Sequence, residues 1–387
     1  MRFDPRLTAP GCADGEYTLH APGYAHAGLF WADSRGPLEN RTAFAYLALD
    51  ESGDGRFVFA GQRAIPFEAT HAAACLTAPD RPDAFLLAPL PAHPEFSSEA
   101  PFMRIGVMSD LHLSSKPWRV RKAMRLLKDT DCVLIAGDMT NDGLPAQLER
   151  FYQLIEEELP GVPVLAVTGN HDYPVRPLPL IRTGIDDYHA LQEKLLERAL
   201  SLGASCLCDA SGAYHARLNG CSFFGLNAVS HFRRFVFPDG KQLDFLRERL
   251  RACTDARRFI LCHAPLQHHN PNAADRLAAP YLSRDGRIQS MIDEAGSVMF
   301  ISGHTHVSLN DAAGCIEHDA ARGNIYLNDS SVTRTALSGE NAPSEWTDGA
   351  VVTISLYERH TEITARSVSS GRIISRGLCR FAWPNRT

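Results

Sequence analysis

Five short apolar runs between residues 102 and 306 each end in a polar motif, and this regularity leaves few architectures open. IGVM leads into Ser109-Asp110-Leu111-His112, and CVLIA into Gly137-Asp138-Met139-Thr140-Asn141. PVLAVT precedes Gly169-Asn170-His171-Asp172, FIL precedes Cys262-His263-Ala264-Pro265, and VMFIS precedes Gly303-His304-Thr305-His306. β-branched runs that alternate with longer amphipathic stretches predict an α/β fold. Strands are expected at 104–108, 132–136, 162–168, 222–226, 259–262 and 298–301, and helices near 117–129, 144–159, 186–202, 241–253 and 285–295. In an open α/β sheet the carboxyl ends of the strands form one rim where ligands bind, so the five motifs should converge.

The residues at that rim are imidazoles, carboxylates and one carboxamide, a set suited to zinc, iron or manganese. No cysteine is among the residues assigned as ligands. In an extended strand, residues i and i+2 point the same way, which suits the Asp110-x-His112 and His304-x-His306 spacings. A single histidine or aspartate at a strand end is more often a satisfied polar group or a cap. Five such motifs of the right chemical types point instead to a metal site.

A chain of 387 residues predicts one large domain and a smaller one. Residues 1–98 are rich in Ala, Pro and Gly and read as a small β-rich accessory unit; 99–387 form the main domain. AYLALD-ESGDG-RFVFAG reads as a hairpin, and DRPDAFLLAPLPAHPEFSSEAP as a proline-rich connection. Toward the C-terminus, NIYLND and AVVTISLYERHTEITARSV suggest antiparallel strands that extend or cap a sheet.

A net charge of −6 argues against a broad nucleic-acid surface. Lys116, Arg119, Arg121, Lys122 and Arg125 read as the solvated face of a helix. With no signal-like apolar core at the start and no membrane-spanning stretch, a cytoplasmic location is expected. The ten cysteines are scattered and read as reduced, with Cys132 and Cys262 in buried strands and Cys206/Cys208 a lone C-x-C.

In this order, SDLH, GD-x-x-N, GNHD, CHAP and GHTH resemble the calcineurin-like metallophosphoesterase superfamily, over about 110 to 306. The resemblance implies a four-layer α/β/β/α sandwich of two mixed sheets and two metal ions, divalent or trivalent, drawn from Fe, Mn and Zn. Carried over by motif, Asp110, His112, Asp138 and His306 would hold one metal, and Asp138, Asn170, His263 and His304 the other. His171 would be left free of metal, as general acid or transition-state donor. Two metals roughly 3.5–4 Å apart can clamp a phosphate and turn a bridging water into the attacking hydroxide. Asp172 would orient His171 or cap a turn.

Serine/threonine protein phosphatases have an arginine after the bridging aspartate, where this chain reads Gly-Asp-Met-Thr-Asn-Asp-Gly. Purple acid phosphatases have a tyrosine at the position of Asn141 and no histidine at that of His112. The motifs look more like bacterial cyclic-nucleotide phosphodiesterases and their relatives, although those often carry His-His-Pro-Pro where this chain has Cys262-His263-Ala264-Pro265. His268 and His269 either line the pocket or belong to a surface loop, and the loop 172–184 is expected to shape access. The leading expectation is a phosphodiesterase acting on a small or medium phosphate ester. A phosphomonoesterase or nucleotidase is the alternative, and a noncatalytic scaffold a third. Oligomeric state is left open.

Overall fold

The computed structural model describes residues 1–7, 15–38, 43–59, 65, 69–90, 99–114, 117–173, 183–231, 234–267, 269, 282, 286–309, 316–319, 321–333, 335–336, 346–358 and 360–377. Eight strands come first: β1 (Arg2–Leu7), β2 (Gly15–His20), β3 (His26–Asp33), β4 (Gly36–Pro37), β5 (Ala45–Ala48), β6 (Asp54–Phe59), β7 (His71–Ala78) and β8 (Arg81–Pro89). The α/β stretch follows with β9 (Met103–Met108), α1 (Trp118–Leu127), β10 (Cys132–Ile135), α2 (Pro145–Glu158), β11 (Val164–Ala166) and α3 (Thr183–Ser201). It continues with β12 (Ser205–Cys208), β13 (Tyr214–Leu218), β14 (Cys221–Leu226), β15 (Val229–His231), β16 (Arg234–Val236), α4 (Lys241–Ala252), β17 (Arg257–Cys262), α5 (Gly286–Ala295) and β18 (Val298–Ser302). The chain then runs through β19 (Ile316–Asp319), β20 (Asn324–Asn328), β21 (Thr335–Ala336), β22 (Trp346–Thr347), β23 (Ala350–Leu356), β24 (Thr361–Ser367) and β25 (Ile373–Gly377).

This is a mixed α/β fold, and its two largest sheets are ordered β11-β10-β9-β23-β24-β25 and β12-β13-β14-β17-β18-β20-β19. Side chains of each central strand alternate between two cores, as strand geometry requires. Ile105, Val107, Cys132 and Leu134 of the first sheet share one core with Phe223, Phe259, Leu261 and Met299 of the second. The alternate residues Val133, Ile135 and Val164 pack with α1 and α2 residues such as Met124 and Leu148, and Phe224, Ile260 and Phe300 pack with Leu246 and Ile292 of α4 and α5. Strands buried on both faces read as unbroken apolar runs such as CVLI and VMFIS. Helix α1 turns Val120, Ala123, Met124 and Leu127 inward at three- and four-residue spacing. Pro145 opens α2, where a missing N–H is no loss.

Three expectations need correction. The strands of AYLALD-ESGDG-RFVFAG turn at Asp50–Asp54 but do not pair with each other: β5 pairs with β3 and β6 with β2. The β2–β3 connection lies between them, with Ala21 N bonded to Gly53 O and Leu49 N to Ala25 O, so the two strands enter different sheets. The first half of the supposed proline-rich connection is β8, an edge strand on β7, where Pro82 and Pro89 are tolerated; residues 91–98 lie outside the described set. Lastly, β20 (NIYLN) runs parallel to β18. The chain passes beyond β20's slot to form β19 at the edge and returns antiparallel to it, so no helical crossover is needed. Strands β23, β24 and β25 are antiparallel as expected.

The basic residues of α1 are tied to the protein rather than left for a polyanion. Arg121 and Arg125 bond Glu158, Lys122 bonds Ser369 O, and Arg119 bonds Asp348 and the carbonyls of Val332 and Thr333; Lys116 is outside the described residues. Asp348 also accepts bonds from the Ser367 hydroxyl and from Ser369 N (2.8 Å) and Oγ (2.7 Å). Burial opposes ionisation of Asp348, but these bonds outweigh it and hold its carboxyl at about 2. A depressed carboxyl stabilises the fold above the unfolded value of about 3.9, and that stability is lost as pH falls through about 2. Discounted for partial exposure, Asp348→Asn should lower stability by about 1–2 kcal/mol at pH 7. Urea titrations should show this gap closing from pH 4 downward; a gap independent of pH would contradict the account.

Candidate metal centre

The five predicted motifs occupy the loops that leave β9, β10, β11, β17 and β18. The first two loops prolong their strands' parallel pairing, with Asp110 N on Gly137 O (3.1 Å), His112 N on Asp138 O (3.0 Å) and Leu113 N on Met139 O (3.1 Å). The expected extended alternation of D-x-H and H-x-H is not what presents these side chains. Strand β9 stops at Met108, and φ is 51° at Asp110, 42° at His112, 50° at Asp138, 70° at His304 and 50° at His306. Left-handed backbone at non-glycine residues is uncommon and costs about 1–3 kcal/mol each, and it clusters at functional sites. It lets residues two apart aim at one point from a turn rather than a strand. Glycine is required at Gly169, where an added Cβ would lie 2.0 Å from Asp138 Oδ1.

The side chains of the seven expected ligands converge. His112 Nε2 is 3.1 Å from His306 Nε2, which is 3.0 Å from Asp110 Oδ1. His263 Nε2 is 3.2 Å from His304 Nδ1, 3.2 Å from Asn170 Oδ1 and 3.4 Å from Asp138 Oδ2. Asp138 Oδ2 is also 3.9 Å from His112 Nε2, so this carboxylate stands between the two groups. Donor atoms about 2.0–2.1 Å from a tetrahedral metal lie about 3.3 Å apart, close to these separations.

Hydrogen bonds turn the lone pairs inward. The Nδ1–H of His263 donates to Ala136 O at 2.7 Å, leaving Nε2 free to face the acceptors of Asp138 and Asn170. So many acceptors sharing so few protons suit a cation. The buried Asp110 Oδ1 faces His306 Nε2 at 3.0 Å, whereas Oδ2 accepts from His304 N (2.8 Å) and Ser109 Oγ (2.5 Å). Burial opposes the charge on Asp110, but His306, His263 and His112 outweigh it and hold this carboxyl well below its usual range. Burial likewise opposes imidazolium at His263, yet Asp138 lifts it to about 10. Burial and the charge on His263 push His304 down to about 3.

His171 lies beside both groups. Its Nδ1 is 2.9 Å from Asn141 O, its ring stands edge-on to His112 at 4.7 Å, and its backbone N–H donates to Asp138 Oδ1 at 2.7 Å. Ring nitrogens of His171 and His112 and a carboxylate oxygen of Asp138 lie within 4.8 Å of one another. Asp172 does not orient His171 through its ring: it accepts from Thr140 N (2.9 Å), Thr140 Oγ1 (3.1 Å) and Gly169 N (2.9 Å), fastening the second motif to the third. Burial, with the charge of Asp138, raises Asp172 to about 6.

His269 stacks on Tyr326 at 3.5 Å and contacts Glu317 and Gln289, so it packs beside β20 rather than in the cluster. His268 and residues 174–182 of the access loop lie outside the described residues. Cys262 is buried and its thiol is pushed up to about 12, and the other described cysteines are free as well.

Two contributions were not anticipated. Phe235, opening the Phe-Val end of β16, walls the cluster, its ring centre 5.0 Å from that of His304 and 5.6 Å from that of His263. Residues 328–332 brace both rims: Asn328 Nδ2 donates to Gly303 O (2.7 Å), Ser331 Oγ to Asp110 O (3.2 Å), and Val332 N to Ser109 O (3.0 Å). The signal for that segment was a sixth polar run, Asn328-Asp329-Ser330-Ser331, after an apolar strand.

The family model for calcineurin-like phosphoesterases matches residues 103–308, just over half of the chain. A Synechococcus sp. protein described as "probable cyclic nucleotide phosphodiesterase" is 34% identical over 94 residues, which is 21% of this chain and 36% of that protein. The match thus spans little over a third of that relative. Among solved structures, a dimetal phosphatase from Danio rerio is 16% identical with a TM-score of 0.46, covering 72% of this chain and 100% of the other. Purple acid phosphatase PPD1 from yellow lupin is 13% identical with a TM-score of 0.49, covering 96% and 73%. Among the described residues no helix is long and apolar enough to cross a membrane.

Proposed function

We propose that this chain, which belongs to the calcineurin-like phosphoesterase family and is a metal-dependent phosphoesterase, hydrolyses a small or medium phosphodiester. The observation that carries the reading is the meeting of Asp110, His112, Asp138, Asn170, His263, His304 and His306 around the Asp138 carboxylate. Asp110, His112 and His306 would hold one ion, Asn170, His263 and His304 the other, and Asp138 both. Bound there, two metal ions supply charge for the phosphate oxygens and lower the pKa of a bound water.

The protein's own groups do the rest. The carbonyl of Asn141 holds His171 Nδ1–H, so Nε2 is free to pass a proton to a leaving oxygen. Phe235 keeps water from one side of the cluster. Preference for diesters rests on His112 and Asn141 in motif positions shared with cyclic-nucleotide phosphodiesterases, a class that the Synechococcus relative's description also names. Residues 1–98 are proposed as an accessory unit, since among the described residues the sheets of β1–β8 contain no strand from 99–387.

Metal-loaded protein should hydrolyse bis(p-nitrophenyl) phosphate with kcat/KM at least about tenfold above that for p-nitrophenyl phosphate, about 1.4 kcal/mol of discrimination. Faster turnover of the monoester would replace this reading with a phosphomonoesterase or nucleotidase.

A further inference from the structure

We propose that Asp329 is a positioning residue that acts on Asp110 through Ser109, locking the Ser109 hydroxyl onto Oδ2, the carboxylate oxygen turned away from His306. This rests on the metal-centre reading above. Ser109 is fully buried, and its Oγ lies 2.5 Å from Asp110 Oδ2, 2.7 Å from Asp329 Oδ1 and 3.3 Å from Ser330 O. One hydroxyl carries one proton and can donate to one carboxylate only. Both contacts have the length of charge-assisted O–H···O bonds, so a second proton must lie on one of the two acids.

Asp110 sits among three histidines, with Oδ1 turned to His306. Among the described residues Asp329 bonds no basic side chain and its buried Oδ2 has no hydrogen bond. The proton therefore belongs to Asp329, which donates to Ser109, which donates in turn to Asp110. Burial agrees with this placement, pushing Asp329 up to about 8 against the Ser109 bond.

The carboxyl cannot drift. Asp329 N donates to Ser302 O at 2.8 Å, and the next residue, Ser330, has a left-handed φ of 72°. With Ser109 and His304 N both on Oδ2, Asp110 presents Oδ1 alone to a metal. Partners of this kind fix a ligand's orientation, and losing one typically costs about 10–100-fold in metal affinity.

The test is competition between the full-length protein and a chelator for Mn(II), with melting of the metal-free protein followed in parallel. Ser109→Ala and Asp329→Ala should each weaken retention by about 10–100-fold. Asp329→Asn, whose amide keeps a donor toward Ser109, should stay within about threefold of wild type. The double variant Ser109→Ala/Asp329→Ala should be no weaker than the weaker single one, since the two residues act in series. Unchanged retention in Asp329→Ala, failure of Asp329→Asn to rescue, or additive losses would each overturn the proposal. Should Asp329→Ala fail to fold, the comparison of Ser109→Ala with Asp329→Asn carries the test. Wild-type protein that retains no Mn(II) or Zn(II) would instead overturn the metal-centre reading itself.

Discussion

Asp138→Asn is expected to lower turnover of bis(p-nitrophenyl) phosphate by about a thousandfold or more, roughly 4 kcal/mol of transition-state stabilisation. The substitution keeps the side chain's shape, and the oxygen that accepts His171 N at 2.7 Å can be retained. It removes the negative charge that lies between His263 Nε2 (3.4 Å) and His112 Nε2 (3.9 Å), where both ions would share it. Metal analysis should therefore show fewer than two ions per chain, with the melting temperature of the metal-free protein little changed. Full activity with two ions retained would rule out the bridge and move the shared ligand elsewhere.

Asp138 is legible in the sequence because of how the fold is encoded. CVLIA is buried on both faces, so its composition announces a central strand, and the polar residues beyond it must lie at the rim. Asp110, Asn170, His263, His304 and His306 are marked in the same way by the apolar strands that precede them. Asp329 escapes this marking because NIYLN pairs both ways, antiparallel to β19 as the pattern suggests and parallel to β18, which the pattern does not show. Parallel pairing with β18 brings the carboxyl end of that strand to the same rim, and the partner that reveals this, Ser109, is 220 residues away. The left-handed turns were also hidden, since Asp and His tolerate such φ values but do not require them, so residue type alone does not announce the turn. In the N-terminal stretch the Asp-Gly turn was legible, but the sheets its strands enter depend on the β2–β3 connection running between them. Local turn chemistry does not record that.

His171→Ala should reduce kcat by about 10²–10⁴-fold on a diester with an alkyl leaving group. The loss should be much smaller for p-nitrophenolate, which departs without a proton. Nδ1 of the ring is engaged by Asn141 O at 2.9 Å, so Nε2 is the atom left for the substrate. Its position also fits a different role, because it shares a 4.8 Å neighbourhood with His112 and Asp138 and could act as a ligand. The two roles separate cleanly in one experiment. A proton donor leaves metal content unchanged and makes the rate of the variant steeply dependent on leaving-group basicity. A ligand depletes the metal and slows both esters alike. Equal losses with depleted metal would therefore move His171 into the coordination sphere and leave the leaving oxygen to be protonated by solvent or by a group outside the motifs.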